Sequence, residues 1–145
     1  MYKVALLPGH GGFDPGAVNS TNGTRESDGN LGVALKLKQL LEVNGIDVVM
    51  SRTADIACGG AVNISQDVAN QIAFANNSGA DLAVAIHFNS AADKGANGTE
   101  VLYSTEWYVD PKRKQLARLL LDELVAHTGL RNRGLKTPSN VSVIK

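Results

Sequence analysis

Two histidines stand where the sequence predicts that a β-strand ends. His10 follows the apolar run Val4–Leu7 in a glycine- and proline-rich turn, and His87 follows the apolar run Ala83–Ile86. A short apolar run that stops at such residues is typical of a buried strand. In open α/β sheets, ligands bind just beyond the carboxyl ends of the strands. Either histidine alone would be interpreted as a hydrogen-bonded structural residue, but the matching positions of the two indicate a shared site.

A carboxylate between these histidines completes a set of groups that could bind a metal. Glu26 lies in the polar segment Gly23–Asp28, just ahead of a helical pattern. Two imidazoles and one carboxylate are a recurring ligand set of catalytic zinc, which keeps a fourth position for water. Such a set leaves the metal with net positive charge and lowers the pKa of water toward neutrality. The pattern alone is equally compatible with Glu26 as a favourable charge beside a helix N-terminus.

Alternating strands and helices predict how these residues are positioned. Continuous apolar runs predict strands, and apolar residues at helical spacing predict helices. The predicted strands are Lys3–Leu7, Ile46–Met50, Leu82–Ile86 and Thr99–Tyr103, and the predicted helices are Leu31–Val43, Val62–Asn76 and Lys112–His127. This alternation implies right-handed crossovers. We therefore expect a three-layer α/β fold, with a mostly parallel twisted sheet and helices on both faces, in one domain over residues 1–145.

Composition excludes several classes of protein. Fourteen basic and fourteen acidic residues balance, which argues against nucleic acid as a partner. Cys58 is the only cysteine, so the chain forms no internal disulfide and has no CxxC site. No apolar stretch approaches the roughly 20 residues that span a bilayer. The N-terminal apolar run is too short for a signal peptide, so we expect export to depend on something else.

Taken together, these segments resemble the zinc-dependent N-acetylmuramoyl-L-alanine amidases of the Amidase_3 type. The resemblance runs in family order over almost the whole chain. The matching segments are Pro8–Ala17, Glu26 with Asn30, Ser51–Asp55, Ala80–Asn89, Gly98–Tyr103 and Arg133–Lys136. Each segment is short and unspecific alone, but their joint order is specific to the family.

The resemblance implies an activity and assigns roles to residues. His10, Glu26 and His87 would be the zinc ligands. Asn89 would orient substrate or a ligand, although the sequence is equally compatible with a role in its own turn. The reaction would be hydrolysis of the amide between N-acetylmuramic acid and L-alanine in peptidoglycan, which bacterial autolysins and phage endolysins perform at the cell wall. Asp14, in the His10 turn, is expected to stabilise that turn through side-chain bonds to the backbone.

The sequence departs from the family in two places. After Asp55 the family usually has a Leu-x-x-Arg segment, whereas this chain has Cys58–Asp67, which predicts an altered loop beside the site. The family's catalytic glutamate follows the Arg-Gly-Leu-Lys segment, on a strand in a Pro-x-x-Leu-x-Glu context. No residue here matches it, so the catalytic residue is unassigned and expected beyond Lys145. Val141–Ile144 would approach that strand, and the chain would be truncated before the last strand and helix.

Two other functions remain open from the sequence. A zinc carboxypeptidase on a related scaffold would act on the stem peptides of peptidoglycan. Its signature places a glutamate three residues after the first histidine, where this chain has Phe13. A catalytically inactive, zinc-holding fragment that binds the wall is the other alternative, and the unmatched glutamate would favour it if these 145 residues were the whole protein.

Overall fold

The computed structural model describes residues 1–93, 95–104 and 111–137. The chain divides into two compact units, Met1–Ser90 and Ala91–Lys145. The predicted approach to a strand at Val141–Ile144 lies outside the described residues. That residues 1–145 form one amidase-like domain stays a prediction.

The first unit contains a three-stranded parallel sheet. Strand β1 (Lys3–Pro8) lies between β2 (Asp47–Met50) and β3 (Leu82–Ile86). Helices α1 (Glu26–Val43) and α2 (Ile64–Asn77) both contact β1. Every β1 residue after Lys3 is buried, so both faces of this strand are covered. This explains why the strand is a continuous apolar run rather than an alternating one.

Helix α1 begins five residues earlier than its apolar pattern predicts. Its first turn contains Glu26 and Asp28, whose charges are favourable at a helix N-terminus. The helix ends as predicted, with Gly45 just beyond it at φ 76°, a left-handed conformation that glycine adopts without steric cost. The polar first turn therefore belongs to the helix and positions Glu26 at its start.

The second unit contains a parallel strand pair and one helix. Strands β4 (Thr99–Leu102) and β5 (Asn132–Lys136) both contact helix α3 (Pro111–Thr128). Leu121 of α3 is fully buried, and Gly129 ends the helix as predicted. Strand β5 was not predicted, because its sequence Asn-Arg-Gly-Leu-Lys contains a single apolar residue and a glycine.

The predicted α/β class is confirmed, and each pairing between two of the described strands is parallel. The described strands hydrogen-bond in two groups, of three and two strands, rather than in one continuous sheet. In the described part of the chain, no helix combines the length and the apolar character needed to cross a membrane.

Candidate metal centre

Sheet register brings the two strand-end histidines together. Strands β1 and β3 are neighbours, with Pro8 opposite Ile86, and the Gly9 N–H donates to the Ile86 carbonyl at 3.0 Å. His10 and His87 therefore follow adjacent strands at the same edge of the sheet. Their ring centroids are 5.1 Å apart and the ring planes are nearly perpendicular, at 83°. The expectation that the first and third strands deliver both imidazoles to one place is confirmed.

The carboxylate of Glu26 lies against both imidazoles. Its Oε1 is 3.3 Å from His10 Nε2 and 3.1 Å from His87 Nδ1. Backbone N–H groups hold both oxygens, since Ala17 donates to Oε2 and Phe88 donates to Oε1, each at 3.1 Å. Burial would raise the pKa of Glu26, but the Ala17 N–H, the His10 charge and the Phe88 N–H outweigh it and lower the pKa below its usual value. Glu26 is thus an ionised carboxylate with a fixed orientation.

The spacing of these atoms fits a single metal ion. One ligand atom from each of the three residues can be chosen so that all lie within 4.8 Å of one another. Two ligands bound at about 2.0–2.1 Å to a tetrahedral ion lie roughly 3.3–3.4 Å apart. The observed separations of 3.1 and 3.3 Å between the carboxylate oxygen and the two ring nitrogens are close to that value. The three side chains could therefore hold a metal ion without large movement.

Asp14 orients one of the two imidazoles. Its Oδ2 lies 2.8 Å from His10 Nδ1, and its Oδ1 accepts the Gly16 N–H at 3.0 Å. Burial would raise the pKa of Asp14, but the bonds from His10 and Gly16 lower it below its usual value. A carboxylate on Nδ1 leaves Nε2 free to bind metal, an arrangement common among metal-binding histidines. The sequence predicted only the turn contact, although a carboxylate four residues after a histidine in a tight turn was a usable signal.

Two glycines make room for the imidazoles. A Cβ atom on Gly9 would overlap the His87 ring. A Cβ on Gly16 would lie 2.7 Å from His10 Cδ2 and 2.9 Å from Glu26 Cβ, and Gly16 itself has φ 65°. The close approach of the three side chains therefore depends on glycine at both positions.

Ile56 and Ala57, which lie just before the segment that departs from the family pattern, are beside the His10 turn. The Ile56 carbonyl approaches Gly11 so closely that a Cβ there would lie 2.5 Å from its oxygen. The segment is held by Asp67, which accepts the Cys58 N–H at 2.7 Å. Burial raises the pKa of the Cys58 thiol, so this cysteine lacks the thiolate character that a nucleophile needs.

Asn89 lies two residues after His87 and is exposed. Its role in substrate binding stays a prediction.

The family profile for N-acetylmuramoyl-L-alanine amidase matches residues 4–145. The N-acetylmuramoyl-L-alanine amidase LytC of Bacillus subtilis (strain 168) is 35% identical over 134 residues, which is 92% of this chain and 25% of LytC. The crystal structure of an N-acetylmuramoyl-L-alanine amidase from Clostridium difficile 630 is 34% identical with a TM-score of 0.83, and the match covers 99% of this chain and 72% of that one. The CwlD amidase from Clostridioides difficile, solved in complex with the GerS lipoprotein, has a TM-score of 0.86 at 28% identity, covering 100% and 76% of the two chains. The chain spans about a quarter of the length of LytC.

Proposed function

Because this chain belongs to the N-acetylmuramoyl-L-alanine amidase family, we propose that it hydrolyses the amide bond between N-acetylmuramic acid and L-alanine in bacterial peptidoglycan. The proposal is carried by one observation, the convergence of His10, Glu26 and His87 at the carboxyl edge of the parallel sheet. The site of action would be the bacterial cell wall, where this substrate is found.

The cofactor we propose is zinc, bound by Nε2 of His10, Nδ1 of His87 and the carboxylate of Glu26. Neutral imidazoles with one carboxylate are a ligand set of catalytic zinc. When bound, zinc supplies Lewis-acid polarisation of a carbonyl and acidification of water. The separations of the ligand atoms, 3.1 and 3.3 Å, support a shared ion.

The chain's own residues prepare the site for this chemistry. Asp14 would keep the proton of a neutral imidazole on His10 Nδ1, which leaves the Nε2 lone pair for a metal ion. Glu26 stays ionised, and two backbone N–H groups prevent its carboxylate from rotating.

The site is accessible from one side, which suits a polymeric substrate. The side chain of His87 is 44% exposed, whereas that of Glu26 is 8% exposed. The glutamate thus forms the floor of the site and His87 its open edge. Asn89, which follows this edge, is proposed to contact the substrate.

The test is product analysis after incubation of purified peptidoglycan with a form of the protein that includes the catalytic glutamate expected from the family resemblance. We expect new L-alanine amino termini, their loss with a chelator, and their return when zinc is restored. His87→Ala should abolish release, because it removes a ligand. His127→Ala is the matched control, since His127 is 78% exposed on α3 in the other unit and should leave the rate unchanged.

Other products would contradict the proposal. Trimming of the C-terminal residues of stem peptides would indicate a carboxypeptidase. Wall binding without release of new amino termini would indicate a binding module.

A further inference from the structure

Two buried polar side chains converge on one backbone carbonyl beside the candidate metal centre. Asn30 Nδ2 and Arg52 Nη2 each donate to the Gly9 oxygen at 3.0 Å. Asn30 is fully buried and Arg52 is 3% exposed. Asn30 lies on α1, one turn after Glu26, and Arg52 follows β2, so the two donors approach from different elements.

The guanidinium of Arg52 binds several other carbonyls of the same region. Its Nε donates to Pro8 at 3.0 Å, its Nη2 donates to Ser27 at 2.8 Å, and its Nη1 donates to Ala54 at 3.1 Å. Burial lowers the pKa of Arg52 from its usual value, while Asp55, Asp67 and Asp28 act in the opposite direction. A desolvated guanidinium is costly unless its donors are satisfied, and here backbone oxygens accept four hydrogen bonds from it. These hydrogen bonds of Arg52 link the end of β1, the start of α1 and the loop after β2.

Gly9 is in contact with, or next in sequence to, residues from the three elements that carry the proposed ligands. Its N–H pairs with Ile86, the residue before His87, and the His87 ring packs on its Cα. Its carbonyl is held by Asn30, on the same helix as Glu26. The next residue is His10, which has φ 63°, a left-handed conformation that is strained for a residue with a Cβ. Such strain persists where the surroundings hold the backbone in place.

We propose that Arg52 and Asn30 are positioning residues that form a carbonyl clamp on Gly9 and hold His10 in its strained, metal-binding orientation. This inference rests on the proposed function, because it assumes that His10, Glu26 and His87 bind zinc. Neither residue touches the metal or the substrate. Their effect is to set the distance between His10 and the other two ligands before the ion binds.

The experiment compares matched buried amides. Asn30→Ala removes one donor to Gly9, and Gln71→Ala removes an amide on α2 that donates to Asp67 at 2.6 Å, away from Gly9. Both amides are at least nine-tenths buried, and in both the side-chain oxygen has no hydrogen-bond partner. Arg52→Lys is the third variant, since an ammonium keeps the charge but cannot reproduce the fork of donors.

Zinc affinity is measured by competition with a chelator, and ligand geometry is measured from the visible spectrum of the Co²⁺-substituted protein. We expect Asn30→Ala and Arg52→Lys to bind zinc about 10- to 100-fold more weakly, the range for lost supporting groups around metal ligands. Their Co²⁺ spectra should also change. Gln71→Ala should bind zinc within about twofold of the wild type, with an unchanged spectrum, even if it unfolds more easily. If Arg52→Lys does not fold, Asn30→Ala decides the question. Arg52 still donates to the Gly9 carbonyl in that variant, so we expect it to fold.

The outcomes separate the two proposals. Wild-type affinity and spectra in both clamp variants would overturn the clamp and leave the zinc site intact. An equal loss in Gln71→Ala would also overturn it, because general destabilisation would then explain the effect. A wild-type protein that binds no zinc would overturn the proposed function and the clamp together.

Discussion

Replacing Gly9 by alanine tests how closely His87 must approach the chain. A Cβ on Gly9 would overlap Cε1 and Nε2 of the His87 ring and lie 2.7 Å from its Nδ1, whereas ordinary contact begins at 3.4 Å. The ring must therefore retreat by roughly 1 Å, while zinc sites tolerate deviations of only about 0.2 Å from their usual bond lengths. Gly9 does not have a positive φ, so the effect comes from crowding and not from backbone strain.

We expect Gly9→Ala to weaken zinc binding by at least about 100-fold, since even lost supporting groups cost 10- to 100-fold. Overpacking should also destabilise the apo protein by about 1–3 kcal/mol. Both are measured on purified protein, by chelator competition and by denaturant unfolding.

Gly32→Ala is the matched control for this substitution. Gly32 lies within α1, and a Cβ there would meet no atom within 4 Å. This variant should keep wild-type zinc affinity and gain about 0.8–1.0 kcal/mol in stability, the difference in helix propensity between glycine and alanine. Wild-type zinc affinity in Gly9→Ala would refute the reasoning, because the ring would then not need the space that glycine leaves.

Three further substitutions have defined outcomes. Asp14→Asn should weaken zinc binding about 10- to 100-fold in the same competition assay, because the carboxylate on His10 Nδ1 is lost. Asp55 accepts the Gly12 N–H and pairs with the Arg25 guanidinium, and both interactions lower its pKa below 3.8. The ionised carboxylate therefore stabilises the fold above that pH, and this contribution is lost as the pH falls through the lowered pKa. Denaturant unfolding at a series of pH values from about 5 downward should therefore show a steeper loss of stability for the wild type than for Asp55→Asn. Leu121→Ala should cost about 2–5 kcal/mol of unfolding free energy by creating a cavity in the second unit, with zinc affinity unchanged.

Much of the fold follows from apolar patterning, and the exceptions have physical causes. Strand β3 was predicted at Leu82–Ile86, where the structure has it, because a short apolar run before a polar turn has few alternatives. Strand β5 was missed because pairing with β4 and contact with α3 stabilise it, and neither is visible in a polar five-residue segment. The start of α1 was predicted five residues too late because its first turn is stabilised by charge rather than by apolar residues.

The sequence predicted the three candidate ligands but not the buried side chains that hold the backbone around them. His10 and His87 were predicted as site residues because each follows the end of a strand. The register of β1 and β3 explains why the two rings lie close together. Arg52 and Asn30 were noted only as parts of family segments. Their roles depend on which carbonyls they reach, from positions 21 and 43 residues away from Gly9 in the sequence. Contacts of that range appear only when the chain is folded.

The central claim is that His10, Glu26 and His87 hold one zinc ion. Anomalous diffraction from crystals of the protein, collected on either side of the zinc absorption edge, tests it most directly. We predict a single peak among the three side chains, about 2.0–2.1 Å from Nε2 of His10 and Nδ1 of His87. A zinc-supplemented crystal with no peak there, or with its zinc bound by other residues, would contradict the account.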